Sequence, residues 1–164
     1  MEFSFKTSTL ILAVLLTGLS AGLFYAWQVS VIPGTRKVSD PAYLETMQSI
    51  NRAILNPAFY LIFFGCLLPL IIGTIQQYPN RASFWLLLIA TGSYLLGTFG
   101  VTIFGNVPLN EALDILDLTE LAEGAATEFR QNYERKWNRF HLIRTIFSVL
   151  AFLLSVLALY TSPD

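Results

Sequence analysis

Residues 141–160 read HLIRTIFSVLAFLLSVLALY. From Thr145 to Tyr160 this run carries no acidic or basic side chain. A bilayer core of about 30 Å needs roughly 20 apolar residues in a helix. The run meets that length, and three others match it: about Thr7 to Ile32, Pro57 to Ile75, and Ser83 to Phe104. Those three contain no charged side chain at all. Lipid offers backbone groups no partner, so a spanning segment must be a helix or part of a closed barrel. The runs lack the alternation of barrel strands. The expected fold is therefore all-α: an integral membrane four-helix bundle, one domain over residues 1–164, with short amphipathic helices in its two long connections.

Composition agrees. The chain has 164 residues, of which 54% are hydrophobic and only 13% charged. Average soluble chains carry about 25% charged residues. A net charge of −1 provides no basic field for nucleic acid. Cys66, the only cysteine, lies in an apolar run and reads as a small buried residue. The first run is expected to stay in the membrane rather than be cleaved as a signal peptide. Its apolar stretch continues past Ser20-Ala21-Gly22 through Leu23, Phe24, Tyr25 and Trp27. Gly18 and Gly22, like Ser93, Gly97 and Gly100, form small-residue stripes suited to close helix contact.

The connections carry turn chemistry. Gln76 to Ala82 is short, with Tyr78-Pro79-Asn80 as its turn. In the first long connection Pro33-Gly34 is expected to stop a helix, and Asp40-Pro41 to cap a new one reaching about Leu55. Tyr43, Met47, Ile50 and Ile54 would form its apolar stripe. Asn56-Pro57 repeats the cap-plus-proline signal. In the second, Asn106-Val107-Pro108-Leu109-Asn110 is expected to break the third run. Asn110 would then cap a helix carrying Glu111, Asp114 and Asp117, kinked at Gly124. From Phe129 onward the pattern runs as helix into the fourth span.

Four spans put both long connections on one side of the membrane. That side then holds most of the unusual polar residues. On a helix, Tyr133, Trp137, His141 and Arg144 share one face. Arg144 lies one turn inside an apolar span, where a charge is costly and should have interior partners. The candidates are Glu134, Asn51, Asn56, Asn106, Asn110 and carbonyls freed near Pro108. Aromatic-belt or snorkelling roles for His141, Arg144, Tyr25, Trp27 and Trp137 are the plainer alternative. No nucleophile elbow, phosphate loop, metalloprotease helix or C-x-x-C is present. One histidine and one cysteine cannot build a multi-histidine metal site. A haem held axially by His141 would lack the usual second histidine.

Four stretches carry a resemblance: GLFYAWQVSVIPG at 22–34, YLETMQSINRAILNPAF at 43–59, FGNVPLNEAL at 104–113 and WNRFHLIRT at 137–145. In order and spacing they are similar to the anthrone oxygenase-like family of small four-span membrane proteins. The N-V-P-x-N and W-x-x-x-H-x-x-R elements are the more specific parts. Bacterial members are largely of unknown function. Characterised fungal relatives oxidise an anthrone to an anthraquinone with molecular oxygen, without metal or flavin. The resemblance implies that Trp137, His141, Arg144, Asn106 and Asn110 line a site. It implies His141 as the base, with Arg144 and the amides stabilising an enolate. Tyr25, Trp27 and Trp137 would stack on a flat substrate.

The functional expectation is a membrane oxygenase, free of cofactor, acting on an anthrone- or quinol-like lipophile. Its catalytic residues would be His141 and Arg144. Its binding residues would be Tyr25, Trp27, Asn51, Asn56, Asn106, Asn110, Tyr133 and Trp137. The alternatives are a non-catalytic lipophile-binding protein and a structural or partner subunit. The expected partners are the bilayer and a lipophilic small molecule; a homo-oligomer is compatible with the chain. Lys and Arg counts place the long connections in the cytoplasm of a plasma-membrane (inner-membrane) protein. Arg36, Lys37, Arg52, Arg130, Arg135, Lys136 and Arg139 lie there, against Lys6 and Arg81 opposite.

Overall fold

The computed structural model describes residues 4–78, 80–119, 121 and 124–162. These form five helical rods: α1 (Phe5–Thr35), α2 (Asp40–Ala53), α3 (Pro57–Gln76), α4 (Arg81–Asp114) and α5 (Ala125–Thr161). Four of these, α1, α3, α4 and α5, are long and apolar enough to cross a membrane. No strand occurs among the described residues.

Helix α5 is the spine. Its 37 residues make a rod of about 55 Å, far longer than a bilayer core. Its buried residues recur every three or four positions, from Arg130 through Trp137, His141 and Arg144 to Ser148, Ala151, Ser155 and Ala158. One continuous stripe thus faces the bundle from end to end.

The two ends differ as chain parity requires. At one end Gln77 donates to Ser162 Oγ at 2.8 Å, and Asn80 to the Thr161 carbonyl at 3.0 Å. There Leu10, Leu70, Leu87, Tyr94 and Ala158 belong to one apolar core. At the other end α2 lies across the bundle and ties both long connections together. Gln48 donates to the carbonyls of Leu113 and Leu116, and Arg52 pairs with Asp114. Arg130 binds the Val38 and Thr35 carbonyls, Asp40 and Glu134.

Local signals mostly hold, with shifts. Asn56 caps α3 by accepting from Phe59 N–H, as its spacing predicts. Ser39, not Asp40, occupies the cap position of α2, with Asp40 and Pro41 in the first turn. The buried stripe of α2 is Tyr43, Leu44, Met47 and Asn51, while Ile50 and Ile54 lie at its margin. Of the short connection, Tyr78 and Asn80 are described and Pro79 lies outside the described residues.

Two expected breaks do not occur. Helix α1 runs through Pro33 to Thr35, and α4 runs through Pro108 to Asp114. In both, a π-helical turn stands just upstream, at Trp27–Val31 and Thr102–Asn106. Ile32 N–H bonds back five residues to Trp27, and Val107 N–H five residues to Thr102. A proline in an α-helix collides with the carbonyl four residues back and lacks an N–H. The wider turn relaxes both conflicts before the ring arrives. The turns after Asn110 are thus the end of α4 rather than a newly capped helix. Among the described residues no helix lies between Asp114 and Ala125, and Gly124 takes φ +83° as the lead-in to α5.

The small-residue stripes are used in part. A Cβ at Gly97 would lie 2.0 Å from Phe147 Cγ, and one at Gly18 would lie 3.0 Å from Phe152. Gly22 faces open space. Gly97→Ala should therefore cost about 1–3 kcal/mol by overpacking, read as a lower unfolding temperature in detergent, while Gly22→Ala leaves that temperature unchanged. The tie between connections should also respond to acid. Asp40 is held below the ordinary carboxylate range, first by the Thr127 hydroxyl and then by Arg130. A folded-state pKa below the unfolded one stabilises above the unfolded value, and that gain is lost as pH falls through the folded one. The wild-type unfolding temperature should thus drop on acidification below about pH 4, the unfolded Asp value. Asp40→Asn should lack that component of the drop.

Candidate functional site

The site is built around Trp137, His141 and Arg144, which α5 places on one buried face. The Trp137 and His141 rings stack with centroids 5.0 Å apart and planes 7° from parallel. Trp27, brought in by the π-helical turn of α1, lies 5.8 Å from Trp137 and 6.3 Å from His141. His141 Nε2 lies 3.1 Å from the Phe24 carbonyl. Arg144 directs Nε and Nη2 at His141 Nδ1, at 3.1 and 2.9 Å.

A guanidinium has donors only, so Nδ1 must be the bare nitrogen and Nε2 the protonated one. His141 therefore accepts from Arg144 and donates to Phe24. Both ring nitrogens are engaged. In this arrangement neither is open to a substrate proton or to a haem iron.

Arg144 is only 8% exposed, yet it has no carboxylate partner among the described residues. Its expected partner Glu134 instead pairs with Arg130 and Arg36. None of the expected asparagines bonds to it. Its remaining contacts are Thr102 Oγ1 at 3.4 Å and the faces of Phe24 and Trp137, 4.6 and 5.1 Å from the guanidinium carbon.

A second network frames this one. Asn51 donates to the Tyr133 hydroxyl at 3.1 Å. That hydroxyl and Trp137 Nε1 both donate to Asn110 Oδ1, at 3.3 and 2.8 Å. Asn106 donates to the Trp137 carbonyl at 3.2 Å, and its own Oδ1 is buried without a partner. Helices α2 and α4 are thus fixed to the Trp137 segment of α5.

A cavity of about 80 Å³ opens against these groups, lined by Phe24, Trp27, Asn51, Leu55, Phe59, Thr102, Asn110, Trp137, His141 and Arg144 among others. No acidic residue lines it. A neighbouring cavity of about 240 Å³ shares Asn51, Leu55, Val107 and Asn110 with it. Of the ten expected site residues, Trp27, Asn51, Asn110, Trp137, His141 and Arg144 reach the smaller cavity. Tyr133 and Asn106 stand behind it as hydrogen-bonding supports. Tyr25 points away, 57% exposed, because the residue two before Trp27 falls on another face of α1. Asn56 is spent on capping, its amide also donating to the Ala53 carbonyl.

Sequence reading missed Phe24 and Thr102. Each had a signal: Phe24 is one turn from Trp27, and Thr102 one turn from Asn106. Among the described residues no group of three or more His, Cys, Asp or Glu side chains could hold a metal ion.

The anthrone oxygenase family model matches residues 45–154, about two thirds of the chain. The chain belongs to the anthrone oxygenase family. The matched segment holds Asn51, Thr102, Asn106, Asn110, Tyr133, Trp137, His141 and Arg144, while Phe24 and Trp27 precede it. Neither curated proteins nor solved structures gave a match.

Asn110 is the support whose removal separates framework from chemistry in this anthrone oxygenase family member. Asn110→Leu strands a buried indole N–H and a buried phenol. It should cost about 1–3 kcal/mol, measured as earlier thermal unfolding in detergent. An unchanged unfolding temperature would show that these bonds do not hold the site together.

Proposed function

We propose that this membrane protein is a cofactor-independent oxygenase of a flat, lipophilic, anthrone- or quinol-like molecule. The observation that supports it best is a buried guanidinium without a carboxylate partner among the described residues, set against aromatic walls in a cavity whose own lining carries no acid. Family membership supports the reaction class, and the buried guanidinium beside aromatic rings supports the choice of residues.

For an anthrone, the reaction turns a ring CH2 into a ketone. One atom of dioxygen enters the new carbonyl and the other leaves as water with the two hydrogens. The carbon loses four electrons and dioxygen gains four, so no reductant is needed. Removing the first proton leaves an enolate whose charge sits largely on the existing oxygen. Arg144 stands where it would stabilise that oxygen, and Trp27 and Trp137 where they would pack against the rings. The electron-rich carbon then reacts with dioxygen directly.

Space sets a condition. Pockets for drug-sized ligands run about 300–1,000 Å³, so the smaller cavity alone holds no tricyclic molecule. Substrate must join it to its neighbour past Asn51, Leu55, Val107 and Asn110. A purely structural subunit would instead be expected to bridge Arg144 to the asparagines and leave no cavity. In our reading the long connections, and so the site, lie toward the cytoplasm of a plasma-membrane protein.

Oxygen uptake and quinone absorbance should be followed with purified protein and a panel of anthrones and quinols. Turnover should appear with at least one of them. Arg144→Met should lower it by about 10²–10³-fold, the usual cost of losing an oxyanion donor, and His141→Ala, which releases the guanidinium, should lower it to a similar extent. A folded wild-type protein inactive across the panel would leave a lipophile-binding protein, not an oxygenase.

A further inference from the structure

Arg144 can make five N–H donations. Nε and Nη2 turn one edge of the fork to His141 Nδ1, and Nη1 reaches Thr102 only at 3.4 Å. The guanidinium remains charged wherever it is buried. Its cation–π contacts with Phe24 and Trp137 offset part of its desolvation, and its hydrogen bonds offset more. Among the described residues nothing around it cancels the charge itself. The ionisable groups near it on its own helix are His141 and Tyr133. Helices α1, α2 and α4 meet the pocket with Phe24, Asn51, Thr102 and Asn110, none of which carries charge. Arg52, Glu111 and Asp114 border the adjoining cavity, where Arg52 and Asp114 neutralise each other.

We infer that the pocket selects its aromatic ligand as the oxyanion, an enolate or phenolate drawn to Arg144, and that His141 is a positioning residue rather than the base. The ring proton on Nε2 goes to Phe24 and the lone pair on Nδ1 steadies the guanidinium. A proton added to Nδ1 would sit against a cation and break the pair. An acidic substrate needs no such transfer. It loses its proton to water at the polar end of the bundle and enters as the anion that completes the charge of Arg144. This deepens the oxygenase reading and rests on it for the identity of the pocket.

The probe is 1,8-dihydroxyanthraquinone, whose visible colour changes when a hydroxyl ionises and which undergoes no turnover. Titrated on the purified full-length protein in neutral detergent, its ionisation midpoint should fall by about one to three pH units relative to empty micelles. That is the range an opposite charge within 4–6 Å produces. Unsubstituted 9,10-anthraquinone, which cannot ionise, should compete poorly. Arg144→Met should abolish the shift and Arg144→Lys should keep part of it. His141→Gln offers both an acceptor for Arg144 and a donor for Phe24, so it should keep the shift, whereas His141→Leu should lose most of it.

A wild-type midpoint equal to that in micelles, or a shift that survives Arg144→Met, would overturn anion selection. Loss of the shift in folded His141→Gln would overturn the positioning role. Because the dye does not react, a full shift in a protein inactive on every anthrone would sink the oxygenase reading alone. Turnover without any shift would sink this inference alone.

Discussion

Everything at the polar end of the bundle answers to one constraint: Arg144 sits inside a membrane-spanning helix with no acid beside it among the described residues. A central arginine costs about 2.5–3.5 kcal/mol on insertion scales. The fold meets that cost with soft partners. Two aromatic faces and one imidazole nitrogen surround the guanidinium, and the imidazole is anchored in turn to the Phe24 carbonyl. An aspartate there would have been simpler electrostatically, but it would have cancelled the field. The chosen surroundings keep the charge buried, oriented and unneutralised.

Holding that arrangement requires material from three other helices, and the two prolines explain how it arrives. Pro33 and Pro108 each follow a π-helical turn whose last N–H reaches back five residues. One such turn carries Trp27; the other spans Thr102 to Asn106 and leads to Asn110. π-helical insertions change which face a residue occupies, and they recur at functional sites for that reason. Here they present an indole, a hydroxyl and two amides to the same stretch of α5.

The long spans were legible because hydrophobic length is a strong signal, and chain parity then located the loaded end without any contact information. The face of α5 was legible as well, since spacing at three and four residues survives any tertiary detail. What sequence could not show was whether Pro108 ends a helix, because a proline and an upstream π-helical turn look alike in a single chain. That error carried over to Asn110, expected as a cap and found bonded to Trp137 and Tyr133. Tyr25 failed for a related reason: adjacency to Trp27 in sequence says nothing about a shared face. The partners expected for Arg144 were four asparagines, carbonyls near Pro108 and the carboxylate of Glu134, and the imidazole one turn back on its own helix was not among them. That carboxylate belongs to the Arg130 tie one level above.

That separation of charges is itself informative. In the tie of Arg130, Asp40 and Glu134 the guanidinium is as buried as that of Arg144 but faces two carboxylates, while Arg52 and Asp114 pair in the open. They hold the two connections across the end of the bundle with their charges paired. Below them the asparagine, tyrosine and tryptophan network is neutral. Only below that does Arg144 appear, a buried cation with no carboxylate partner among the described residues. Going inward, the arrangement passes from paired charges, through neutral hydrogen bonds, to one free positive field among aromatic rings. A scaffold needing only stability would have paired its charges throughout. The deepest layer leaves one charge unpaired, and the geometry makes sense when a ligand brings the missing negative charge.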